Sequence, residues 1–317
     1  MGYIETIKGK SSQTVQVYFY DLRLFLRFLT VRYGLVSKDA EFNEIDISEL
    51  DASILKKVVL GDLFAFLSYV SRERSNASHA RARKVATIKS FFNYATTKAG
   101  LVSTNPAAEL EAPKIVKRLP RYLSVDESRQ LLQTVVDADI PQRERNYAIL
   151  TLFLNCGMRL SELVGINLTD IRGETLTIIG KGDKERAVYL NAACKHAIEQ
   201  YLQVRQKERV RDKNALFLTV RGNRISNAMV QHVVKKSIGL AGIDTTKYST
   251  HKLRHTAATL MYQHGHVDIR TLQTILGHES IATTEIYTHL DARQLKEAVE
   301  SNPLANFFAA PSGDTGE

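Results

Sequence analysis

The 317-residue chain has only two cysteines and no tryptophan. Cys156 and Cys194 lie in apolar, helical-looking runs far apart in sequence, which argues against a disulfide framework or a thiolate metal site and points to a reducing compartment. No apolar stretch approaches the roughly 18–20 residues a bilayer span requires, and the amino terminus, with Lys8 and Lys10, has no signal-peptide core. A cytoplasmic protein with no membrane partner is therefore expected. There is no internal repeat, no glycine-rich phosphate loop and no cage of carboxylates for a divalent cation, so neither ATP nor metal chemistry is indicated.

What is abundant is positive charge. Lys and Arg outnumber Asp and Glu by 43 to 34, giving a formal charge of +9, a balance that favours a polyanionic partner such as nucleic acid. Between 72 and 98 the bias sharpens: Arg72, Arg74, Arg81, Arg83, Lys84, Lys89 and Lys98 face one acid, Glu73. Such a run is either a solvated helix face or a nucleic-acid surface.

Apolar spacing predicts helices over 12–33 (Val15, Tyr18, Leu22, Phe25 and Leu29 inward, Gly34 as stop), 61–71 and 78–99 (Val85, Ile88, Phe92 and Ala95 inward). The first 112 residues read as a small helical bundle. From 113 to 122, Pro113 and Pro120 stand among Lys114, Lys117, Arg118 and Arg121 with no apolar period, the pattern of an extended basic linker. A second domain is expected over 123–302, opening on the capping-box pair Ser124 and Glu127 and continuing in a helix over 143–156 that Gly157 stops. Thr175–Ile179 and Arg186–Leu190 flank a glycine-containing turn and predict one hairpin, with helices after Asn191. The fold class expected is mainly α with a small β-hairpin or sheet. Residues 303–317 form a tail, and the apolar Leu295, Ala298, Val299, Leu304, Phe307 and Phe308 around its start are spaced to dock on a neighbouring surface.

His251, Arg254 and His255 stand three and four residues apart, on one side of a helix. His278 follows a helix-stopping glycine, and Tyr287 comes nine residues later among Thr283, Thr284 and Thr288. His251 and His255 have the spacing of two zinc ligands, but Lys252 replaces the glutamate of the common zinc-hydrolase motif and Arg254 between them repels a cation. Arg, Lys and His with few carboxylates suit an anion instead, and a phosphodiester transition state carries added negative charge.

Arg159 with the following Ser161-Glu162-Leu163, Lys181 in the hairpin, His251-x-x-Arg254, His278 and Tyr287, in this order, resemble the tyrosine recombinases, and the length resembles their Xer-type members. The resemblance implies a helical core-binding (SAM-like) domain followed by an α+β catalytic domain. It implies a metal-free, cofactor-free strand exchange in which Tyr287 is the nucleophile, Arg159, Arg254 and His278 hold the phosphate, and Lys181 protonates the leaving oxygen. His251 is then either a general base or a phosphate clamp, with Glu162 and His255 behind these residues. DNA contacts are expected from Arg81, Arg83, Lys84, Lys89, Lys117 and Arg118. The implied partners are a specific duplex site and three further subunits, identical or paralogous, and the implied setting is the nucleoid during chromosome dimer resolution. A mobile-element integrase, a type IB topoisomerase and a noncatalytic DNA-binding module are the alternatives.

Overall fold

The computed structural model describes residues 2–9, 11–37, 39–74, 78–113, 121–180, 185–205, 210–265, 267–277 and 284. The chain divides into two compact units, Met1–Lys117 and Arg118–Glu317. Most of residues 113–122 and all of the tail from 303 lie outside the described residues.

The first unit is helical: α1 (Ser12–Arg32), α2 (Ile54–Lys57), α3 (Leu60–Arg72) and α4 (Ser78–Thr97). Ser11 caps α1 by accepting the Thr14 amide at 3.3 Å. Gly34, at φ 66°, ends it in a Schellman turn: the Leu35 amide donates to the Thr30 carbonyl and the Gly34 amide to that of Val31. Leu22, Phe25 and Leu29 of the expected stripe are buried, as are Val85, Ile88, Phe92 and Ala95 of α4. Val15 and Tyr18, near the start of α1, are only half-buried. The core turns on three phenylalanines, with Phe25 edge-on to Phe66 and Phe92 at ring separations of 5.1 and 6.1 Å.

The second unit begins with α5 (Val125–Asp137), whose capping box is complete: the Ser124 amide donates to Glu127 at 2.7 Å and the Glu127 amide to Ser124 Oγ at 3.1 Å. α6 (Arg143–Cys156) runs through the centre, buried on nearly every side from Ala148 to Phe153, because α5, α8 (Ala192–Val204) and α10 (Thr250–His264) all pack against it. Between lie α7 (Leu160–Gly165) and an antiparallel sheet of β1 (Ile171–Arg172), β2 (Thr175–Ile179) and β3 (Glu185–Tyr189). The expected hairpin is β2–β3, in the register Leu176 opposite Val188; the two-residue β1, too short to leave a sequence pattern, is a third strand. α9 (Asn227–Leu240), α10 and α11 (Ile269–Leu276) complete the unit.

The stretch after Asn191 is less uniformly helical than its sequence reads. Residues 214–225 form an irregular connection, buried at residues 215–218 and at Ile225, in which Phe217 stacks on Tyr201 at 5.4 Å and the buried Arg145 donates to the Leu218 carbonyl at 2.8 Å. Cys156 and Cys194, remote in sequence, meet where α6 ends and α8 begins, their free thiols 3.6 Å apart. Among the described residues, no helix is long and apolar enough to cross a membrane.

Candidate active site

Every described member of the expected site belongs to the second unit, and the fold brings them together around a turn. At the end of α6, Gly157 adopts φ 58° and its amide donates to the Phe153 carbonyl at 3.2 Å. A side chain here is excluded twice over, by the left-handed backbone and by crowding, since a Cβ would stand 2.9 Å from a Leu276 methyl and 3.5 Å from Ala257. The turn delivers Arg159 as the residue that precedes α7.

Glu162, in the first turn of α7, grips Arg159 at both ends. One carboxylate oxygen accepts the Arg159 backbone amide at 2.6 Å and the other accepts Nη1 at 2.7 Å. Arg159 Nη2 donates to the Gly277 carbonyl at 2.7 Å. A third of the Arg159 side chain remains exposed, while that of Glu162 is 1% exposed.

Arg254, from α10, is buried below Arg159. Two of its five N–H donors go to the Gly157 and Leu276 carbonyls, both at 2.7 Å, and Nη1 lies 3.8 Å from Glu162. Arg254 thus ties the end of α6 to the end of α11, where carbonyls carry the negative end of each helix dipole.

His251, one turn before Arg254, is exposed at the rim and packs edge-on against the buried His255, ring centroids 4.4 Å apart. Burial of its inner side, followed by the positive charges of Arg254, Lys252 and Arg159, pulls its pKa below the ordinary imidazole value. The ring therefore favours its neutral form at neutral pH.

A participant that the sequence reading passed over is Arg186 on β3. Its guanidinium meets both Glu162 oxygens, at 2.7 and 3.0 Å, and Nε donates to the Ile275 carbonyl at 3.3 Å. The signal was present in the strand alternation, because Arg186 shares a face with the buried Val188 and so points a charge inward. Among the described residues, three guanidinium groups converge on one carboxylate, an excess of two positive charges. Burial pushes the Glu162 carboxyl up, but the hydrogen bond from Arg186, that from the Arg159 amide and the charge of Arg186 outweigh it and hold the group below the usual carboxylate range.

Lys181, His278 and Tyr287 lie outside the described residues, as do Lys117 and Arg118. In the first unit, Arg83 is exposed and reaches Asp21 at 2.7 Å, Arg81 donates to Ser71 Oγ, and Lys89 donates to the Ala108 and Leu110 carbonyls at 3.2 and 2.9 Å. Lys84 departs from the expected basic surface. It is 5% exposed and its ammonium is held by Asp21 at 3.0 Å, because it stands one residue round from the exposed Arg83, on the inner face of α4.

A family model described as the phage integrase family matches residues 121–294. The chain is 56% identical over 305 residues to tyrosine recombinase XerC of Caldanaerobacter subterraneus subsp. tengcongensis, covering 96% of this chain and 86% of the relative. It is 36% identical over 293 residues to tyrosine recombinase XerD of Proteus mirabilis, covering 91% and 86%. Among solved structures it resembles the XerH site-specific recombinase in a post-cleavage complex with palindromic difH, with a TM-score of 0.71 and 26% identity over 90% of this chain and 79% of that one. The order of the expected residues in the sequence, the meeting of Arg159 and Arg254 on Glu162 among the described residues, and these likenesses agree: the chain belongs to the phage integrase family and is a site-specific tyrosine recombinase of the Xer kind.

Proposed function

We propose that the chain cuts and rejoins duplex DNA through a covalent 3′-phosphotyrosine and a Holliday junction, in the manner of chromosome dimer resolution. The Tyr287 oxygen attacks a backbone phosphorus, forming the O–P bond as the bond to the 5′ oxygen breaks. The phenol proton passes to His251, whose depressed pKa keeps it able to accept, and Lys181 protonates the departing 5′ oxygen. Arg159 and Arg254, joined by His278, hold the non-bridging oxygens as their charge grows. The freed 5′ hydroxyl then attacks the phosphotyrosine of a partner strand, so the phosphodiester energy is conserved without ATP.

The observation that carries this reading is the excess positive charge where Arg159 and Arg254 meet, since a cluster built only to stabilise the fold has no need of a surplus. The XerH relatives were captured on their difH substrate before and after cleavage, which supports duplex DNA as the partner here. Arg81, Arg83 and Lys89, with Lys117 and Arg118, supply phosphate contacts in our reading, and Lys84 braces the helix that carries the first three. Exchange of two strands between two duplexes requires four active sites. We assign the working form to a tetramer, of this chain or with a paralogue, joined by the tail from 303 and acting on the nucleoid in the cytoplasm.

The test is a suicide duplex, nicked beside the scissile phosphate and carrying a site selected by the protein from a randomised pool. Wild type is expected to form a covalent adduct, undiminished by EDTA, and Tyr287→Phe to form none. An adduct that persists in Tyr287→Phe removes the assigned nucleophile, and one that EDTA abolishes removes the metal-free mechanism.

A further inference from the structure

Glu162 is the pivot of the arginine cluster, and its principal partner is Arg186. Arg159 contributes one side-chain N–H to the carboxylate, whereas Arg186 presents two, one to each oxygen, in the planar fork that fixes a carboxylate's orientation. A carboxylate held this way cannot rotate, and its two oxygens remain aimed at the Arg159 amide and Nη1. Among the described residues, the charges facing Glu162 are Arg159 at the start of α7, Arg186 on β3 and Arg254 on α10.

The same guanidinium supports the chain on its other side. Gly277 ends α11 at φ 62°, and a Cβ there would lie 2.9 Å from Arg186 Nη1 and 3.1 Å from Cζ. The backbone thus rests directly on the Arg186 plane, with the Ile275 carbonyl receiving its Nε and the Gly277 carbonyl receiving Arg159. Gly277 is the residue before His278, and Arg186 is five residues after Lys181. One side chain therefore joins the return strand of the hairpin, the bracket of Arg159 and the exit of α11.

We propose that Arg186 is a positioning residue for strand cleavage: it locks Glu162 so that Arg159 is presented to the phosphate, and it seats the end of α11 from which His278 follows. The role rests on the cleavage reading above, and it requires a fork rather than a charge. It also accounts for the glycine at 277, where any side chain displaces the guanidinium.

The experiment compares wild type, Arg186→Gln, Arg186→Lys, Glu162→Gln and the double variant Glu162→Gln/Arg186→Gln on the nicked suicide duplex at saturating DNA, with duplex affinity measured in parallel. Arg186→Gln is expected to slow adduct formation by about 10²-fold, the cost of a misplacement of roughly 1 Å, with affinity unchanged. Arg186→Lys restores the charge without the fork and recovers only part of the rate. The acid limb of the Arg186→Gln rate profile shifts to higher pH, because Glu162 has lost its main stabilising partner. If Arg186 acts through Glu162, the double variant is no slower than Glu162→Gln alone.

An unchanged rate in folded Arg186→Gln overturns the proposal, as does a loss of affinity that matches the loss of rate, which marks a phosphate contact instead. Should Arg186→Gln fail to fold, Gly277→Ala pushes the guanidinium aside while keeping its charge, and normal cleavage by that variant overturns the proposal equally. Absence of an adduct from wild type on the selected site would count against the cleavage reading itself, so the two failures are distinct.

Discussion

Asp21 in the first unit and Glu162 in the second are both buried carboxylates braced by basic side chains, yet their surroundings differ in charge and in what the cations do next. Asp21 takes the buried Lys84 at 3.0 Å, the Thr87 hydroxyl at 3.3 Å and Arg83 at 2.7 Å, the last with 40% of its side chain in solvent. Inside the protein that cluster is one negative and one positive charge, and it fastens α1 to α4. Glu162 instead meets Arg186 and Arg254, both largely buried, together with Arg159 at the opening. Its arginines reach past it to the carbonyls of Gly157, Ile275, Leu276 and Gly277, so helix ends help to hold cations that one carboxylate does not neutralise. The first arrangement is a structural joint; the second is a joint with positive charge left over, the property an anion-stabilising site requires.

Removing the pivots separates the two most strongly. Glu162→Gln leaves the described guanidinium groups facing one another without a counter-charge and is expected to cost about 3 kcal/mol or more of stability, with cleavage of the nicked duplex slowed by about 10²-fold or more but still measurable; chemical denaturation and the adduct assay read the two effects. Asp21→Asn strands only Lys84, because Arg83 hydrates where it stands, so a loss of roughly 2 kcal/mol is expected. The folded fraction should cleave at the wild-type rate under saturating DNA. A cleavage defect in folded Asp21→Asn would erase the distinction between joint and site.

The smallest expected effect sharpens the comparison through pH. Burial of the inner side of His251, followed by the surplus charge of the second cluster, holds its pKa below the unfolded imidazole value of about 6.5. In the window between the two values the unfolded chain binds more protons than the folded one, so stability falls as pH drops through that window and is unaffected above it. His251→Gln should flatten this part of the Tm-against-pH curve. An equal slope in wild type and His251→Gln would show that neither burial nor the surplus charge acts on this imidazole.

Local features were legible because they depend on neighbours in sequence. The Schellman stop at Gly34, the capping box of Ser124 and Glu127, the left-handed turn at Gly157 and the stripe through Val85, Ile88, Phe92 and Ala95 all follow from residue types a few positions apart. Arg159, His251 and Arg254 stand out in the sequence by type and order, and the structure sets Arg159 and Arg254 against the same carboxylate. Lys84 was misplaced among the DNA contacts because a charge run does not reveal which of its members meets a buried acid 63 residues away. β1 is two residues long, and the buried connection near Phe217 has no period for a pattern to show.

The sequence by itself determined a mainly helical, two-part chain rich in cationic side chains, since periodicity, caps and residue chemistry are properties of the chain before it folds. Only the tertiary structure decided the charge balance of the site. Arg159, Arg186 and Arg254 come from separate elements, and each is an ordinary arginine until packing presses all three onto Glu162 and the ends of α6 and α11. Electrostatic energy depends on distance and burial, and neither exists until those elements meet.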